Sequence, residues 1–200
     1  MSELTRVLSG AALELSVEQI EGDLRLARYQ YERPAVRDED VEAWNKWPQF
    51  VHSFYIWALE HGRLPSQDEH AGLYFGLYPF LGEGPYREGL AARIRRAWPS
   101  LVRDVHLCAL LREAGLTVSY SLEWDVRAGI DISVWPPVDG RPPLFIHAYV
   151  STRRARRFRE RKQYGLRHFD LPLKQAEAQT INGVWLYQAP LHTDRVRAAL

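Results

Sequence analysis

Three runs of alternating apolar and polar residues crowd the stretch from Thr117 to Ser151, and they constrain this chain more than any other feature. In residues 117–126, Val118, Tyr120, Leu122, Trp124 and Val126 alternate with Ser119, Ser121, Glu123 and Asp125. Residues 130–134 alternate again and are closed by Pro136-Pro137; a turn at Asp139-Gly140-Arg141-Pro142-Pro143 then leads into residues 144–151. Successive side chains of a strand point to opposite faces, so a period of two predicts half-buried strands, and the short turns predict a meander. A further strand is predicted at residues 183–187.

The chain before this block reads as helical. Apolar residues recur at three- and four-residue spacing from Leu4 to Leu15 and again from Val17 to Tyr31, ending at Pro34. A next helix or helix pair carries Val41, Trp44, Trp47, Phe50, Val51, Phe54, Tyr55, Trp57 and Ala58, with Pro48 dividing it, and stops at His61-Gly62. Residues 71–89 hold Gly72, Gly76, Pro79, Gly82, Gly84, Pro85 and Gly89, which predicts loop and short turns and a hinge between domains. Pro99-Ser100 is expected to open a helix that runs to Ala114 and stops at Gly115. The organisation expected is a helical region at 1–98, acting as clamp or dimerisation element, followed by an α/β core at 99–200.

Composition excludes several classes. An apolar fraction of 46% over 200 residues builds a packed core without disulfides, and the single cysteine, Cys108, sits in an apolar run as a small core residue. No apolar stretch is long enough for a membrane span, and the first residues lack the basic-then-apolar layout of a secretion signal, so a cytoplasmic location is expected. The net charge of +1 hides a sharp asymmetry. Eight of the 26 bases and one of the 25 acids lie between Arg153 and Arg167, so the rest of the chain is net negative. A surface of that sort predicts a polyanionic partner.

The helix–strand–strand–strand–helix–strand order, with "AGLTV" at residues 114–118 and "AGIDISV" at residues 128–134, resembles the PD-(D/E)XK nuclease superfamily, the group of restriction-endonuclease-like folds. The fold class that the resemblance implies is α/β, an α-β-β-β-α-β core behind the N-terminal helical region. It implies that Asp131, at the start of the second strand, binds a divalent ion, Mg²⁺ or Mn²⁺, together with Glu123 or Asp125. In the family the third strand adds a Glu or Gln, any residue, then a Lys. Here those slots fall on His147 and Tyr149, so the motif is degenerate. His147 would be a second metal ligand or the general base. Ala155, Phe158 and Lys162 form one stripe of the arginine-rich segment, and Lys162 is expected to project inward as the missing cation. Arg153, Arg154, Arg157 and Arg161 are expected to hold flanking phosphates.

The function implied is metal-dependent hydrolysis of phosphodiester bonds in DNA rather than RNA, in defence against foreign DNA, with a homodimer able to cut both strands. His147 and Tyr149 in the Glu and Lys slots leave a second reading open, a catalytically inactive nuclease-fold module that binds nucleic acid or scaffolds a partner complex. A third is an adaptor whose arginines dock on an acidic partner protein.

Overall fold

The computed structural model describes residues 14–27, 29–31, 33, 36–37, 40–41, 50–121, 130–137, 140–153 and 168–200. It is a mixed α/β structure. Helices α1 (Val17–Leu26), α2 (Phe50–His61), α3 (Gln67–Leu77), α4 (Pro79–Gly82) and α5 (Arg87–Glu113) precede strands β1 (Thr117–Ser119), β2 (Ile132–Trp135), β3 (Leu144–Val150) and β4 (His168–Leu173). A hairpin of β5 (Gln179–Ile181) and β6 (Val184–Leu186) and a last helix, α6 (Leu191–Ala199), complete it. The four-stranded sheet has the order β1-β2-β3-β4, antiparallel between β1, β2 and β3 and parallel between β3 and β4.

Helix α5 is the spine. Leu90 and Ile94 pack with α3, Val41 and Leu81; Trp98, Val102, Val105 and Ala109 pack with α1, α2 and the hairpin; Leu107, Leu110 and Leu111 pack beneath the sheet. The domain division drawn at residue 98 falls inside this helix. The expected helix start at Pro99-Ser100 is corrected, because α5 begins twelve residues earlier, at Arg87, and carries Pro99 within it. Proline has no N–H to give the carbonyl four residues back, which here belongs to Arg95. Gln67 supplies the missing donor, its Nε2 lying 2.9 Å from the Arg95 oxygen. At the far end the helix stops where expected. Gly115 adopts φ +81, its N–H reaches the Arg112 carbonyl at 2.8 Å, and the Leu116 N–H reaches Leu111 at 3.0 Å.

Residues 71–89, expected as loop and hinge, lie largely in α3, α4 and the start of α5. Ser66 and Glu69 explain the difference: each side chain accepts from the other's backbone N–H, at 3.2 and 2.8 Å, and this reciprocal cap starts a helix that Gly72 and Gly76 do not stop. The strand expected at residues 183–187 exists as β6, but it pairs with β5 instead of entering the sheet. Asn182 (φ 45) and Gly183 (φ 81) form the tight turn between them. Asn182 also donates through Nδ2 to the Leu24, Arg25 and Ala27 carbonyls at 2.7 to 3.0 Å, which holds the hairpin against the end of α1. The fourth place in the sheet belongs to β4, whose Pro172 sits on the outermost strand, where a missing donor is tolerated. The first predicted strand keeps only residues 117–119; residues 122–126 lie outside the described residues.

Candidate functional site

Register and alternation divide the sheet into two faces. Ile132, Val134, Leu144, Ile146, Leu171 and Leu173 face α5 and α6, where Leu107, Leu110, Leu111 and Val196 close the core. The other face carries a different chemistry. Ser133 pairs with Phe145, Phe145 with His168, and His147 with Asp170, so these five residues share one side. Trp135 joins them two residues along from Ser133, and Tyr149 two residues along from His147.

His147 is buried, at 4% exposure. Its Nε2 lies 2.9 Å from Nδ1 of His168, and the two rings stack with centroids 4.8 Å apart and planes 13° from parallel. A bond between two imidazole nitrogens requires one to donate and the other to accept. Neither of those two nitrogens therefore offers a lone pair to another partner while the bond lasts.

Asp131 stands one residue before β2 and brackets His147 along the β3 backbone. Its N–H donates to the Ile146 carbonyl at 3.1 Å, and its carboxylate Oδ2 accepts the Ala148 N–H at 2.7 Å. Ile146 is already the register partner of Ile132, so two consecutive residues meet one partner. The Asp131 backbone bond is thus one residue out of step with the register, at the point where the β2–β3 pairing ends. The Asp131 charge is felt on the helix side of the sheet. Burial first, then the Asp104 and Asp131 carboxylates, push the Cys108 thiol up to about 12, and burial with the same two acids raises the Tyr187 hydroxyl above its ordinary value. Cys108 is thereby held as an inert thiol.

Of the residues expected from the sequence, the structure sets Asp131 against the β3 backbone on either side of His147. Tyr149 shares the His147 face and is half-buried. Arg153 is exposed, three residues past β3. Glu123, Asp125, Arg154, Arg157, Arg161 and Lys162 lie outside the described residues. His106 is fully buried, with its Nε2 3.7 Å from Glu21 on α1, and burial lowers its pKa despite that acid.

His168 and Asp170 are the site residues that the sequence reading missed. Their signal is the alternation of Phe169, Leu171 and Leu173 against His168 and Asp170, which Pro172 obscures.

Among the described residues no group of three or more His, Cys, Asp or Glu side chains is arranged to hold a metal ion. Magnesium and manganese favour several oxygen donors. Asp131 accepts a backbone N–H with one oxygen and His147 is bonded to His168, so these two residues do not by themselves fit a divalent ion. No helix among the described residues is long and apolar enough to cross a membrane. No protein-family model, no curated protein and no solved structure matches this chain.

Proposed function

We propose that this chain binds nucleic acid, DNA in preference to RNA, through the arginine-rich connection between β3 and β4. The observation that carries the reading is topological. Because β3 and β4 are parallel neighbours, residues 151–167 are a crossover connection tied to the sheet at both ends, and that single connection holds eight bases against Glu160. Guanidinium groups bind phosphate as two-pronged donors, and concentrating them in one anchored segment lowers the cost of ordering them. The element order supports the nuclease-like frame: α5, the meander β1-β2-β3, the basic connection and then a strand. The strand in last place is β4 rather than the one expected.

The test is affinity against salt. If Arg153, Arg154, Arg157 and Arg161 each take one phosphate, the logarithm of the association constant for a DNA duplex falls with the logarithm of salt at a slope of about −3 to −4. Replacing the four by alanine together should flatten that slope. A wild-type affinity indifferent to salt, or transferred wholly to an acidic protein, would overturn the reading in favour of the adaptor.

A second reading, a divalent-metal endonuclease, draws on the resemblance alone, which puts Asp131 in the place of the metal-binding aspartate and His147 in the Glu slot, and it needs a further ligand such as Glu123. Plasmid incubated with the full chain and Mg²⁺ or Mn²⁺ should then be nicked, and Asp131→Asn, which keeps an acceptor for Ala148 but removes the charge, should lose at least a hundredfold in rate (about 3 kcal/mol of barrier). Binding without any cutting by the wild type leaves the module and removes the enzyme.

A further inference from the structure

Trp135 ends β2 with its indole 45% exposed, and a cleft of about 700 Å³ opens beside it. The cleft is lined by Thr117, Trp135, Pro136, Pro137, Arg141 and Pro142, among others. We propose that it is a binding site for one unpaired nucleobase, which stacks on the Trp135 ring while Arg141 holds the adjoining phosphate. The proposal rests on the nucleic-acid reading above and names what the sheet itself would recognise.

Several observations converge on that occupant. The indole is oriented before any ligand arrives: its Nε1 donates to the Ser119 hydroxyl at 3.1 Å, diagonally from β2 to β1, where Ser119 is the register partner of Ser133. A ring fixed by its edge keeps its face for stacking, and little side-chain entropy is lost on binding. Pro136, Pro137 and Pro142 have φ set by their rings, so the wall of the cleft is preformed as well. The one charge among the described lining residues is Arg141, which is exposed and makes no ion pair among the described residues. One aromatic face beside one cation matches a base and its phosphate. A proline-rich peptide uses grooves walled by several aromatic rings, and Trp135 is the sole aromatic among the described lining residues.

Trp135 is the exposed end of the face that also carries Ser133, Phe145 and His147. Those three side chains are buried, so the proposed contact is confined to the Trp135 ring and Arg141 at the mouth of the cleft.

The experiment uses the full chain with a fluorescent 20-nucleotide oligothymidine, the same sequence as a duplex with oligoadenosine, and a proline-rich peptide. Each is titrated into wild type, Trp135→Ala, Trp135→Phe and Arg141→Ala, with a thermal melt of every variant. Base-on-aromatic stacking predicts that Trp135→Ala weakens single-strand binding about 5- to 100-fold. Trp135→Phe should keep most of it, and duplex binding should change less than twofold, since paired bases are already stacked. Arg141→Ala should weaken the single strand and make its binding less sensitive to salt. Equal single-strand affinity for folded Trp135→Ala and wild type would overturn the platform while leaving the arginine-rich connection standing. Loss of peptide binding instead, with DNA unaffected, would overturn it in favour of a peptide groove. A wild type that binds neither single strand nor duplex would sink both this proposal and the reading on which it rests.

Discussion

Trp98→Ala is expected to cost about 3–5 kcal/mol of folding stability, the range for deleting a large buried aromatic. Trp98 is 1% exposed and lies where α5 meets the packing of α1, α2 and the hairpin, in the same cluster as Phe54, Val102, Leu24 and Leu186. Its ring stacks on Tyr29 at 6.2 Å with planes 10° apart, and its Nε1 donates to the Pro65 carbonyl at 2.6 Å. Alanine would leave a cavity and a buried carbonyl without its donor. Trp98→Phe separates the two effects, since it keeps most of the volume and loses only the hydrogen bond, for about 1–3 kcal/mol. Urea denaturation of both variants checks this, with the slope unchanged and the midpoint lowered more for alanine. A Trp98→Ala unfolding free energy within about 1 kcal/mol of wild type would mean that α5 is not the shared spine of the fold.

How much of this was legible beforehand differs by element, and the differences have physical causes. The second and third strands were readable because Ile132, Val134, Leu144 and Ile146 must all meet the same helix, and a period of two was the only pattern that allows it. The end of α5 was readable because Gly115 supplies a backbone conformation that other residues avoid. Pro99 misled because the Gln67 amide that compensates it comes from another helix, at a sequence separation that no local pattern reveals. The glycines of residues 71–89 misled for a local reason: Ser66 and Glu69 outweigh them, and that cap was visible in the sequence. So was Asn182-Gly183, a strong hairpin signal, which split the last strand away from the sheet.

The candidate site was readable in position and less so in partnership. Asp131, His147 and Lys162 were expected to meet in one pocket; Asp131 stands against the β3 backbone at Ile146 and Ala148, and Lys162 lies outside the described residues. The Asp131 N–H departs from the β2–β3 register by one residue, and such an offset leaves no mark in residue type. The partner of His147 turned out to be His168, on a strand whose Pro172 hides its alternation. An interior strand would exclude that proline; the outermost one admits it.

Acid is expected to weaken this fold well above the range in which carboxylates titrate, through His70. The ring is fully buried between α2 and α3, edge-on to Phe54 at 5.4 Å, with Nε2 2.9 Å from the Phe50 carbonyl and Nδ1 buried without a hydrogen-bond partner. The neutral ring satisfies this geometry by donating from Nε2. A second proton would place a charged N–H where nothing accepts it. Burial therefore pulls the pKa down to about 4, with the Phe50 hydrogen bond opposing it only in part. The unfolded chain, with histidine near 6.5, takes the proton first, so the contribution of His70 is complete above about pH 6.5. It drains away as the pH falls toward 4 and amounts to about 3 kcal/mol over that window. Glu69 titrates in a lower window, because its Arg63 partner holds it down to about 2 and its contribution is lost only between about 4.5 and 2. Burial also lowers His52, His106 and His192, so the wild-type curve alone does not single out one ring. His70→Gln does: it keeps a donor for Phe50 and cannot be protonated. The stability gap between wild type and His70→Gln, from urea midpoints at pH 7.5 and pH 4.5, should shift by at least 2 kcal/mol in favour of the variant at the lower pH. Parallel curves would mean that His70 shares its second proton with a partner the fold provides, and the acid sensitivity would then have to come from the other three rings.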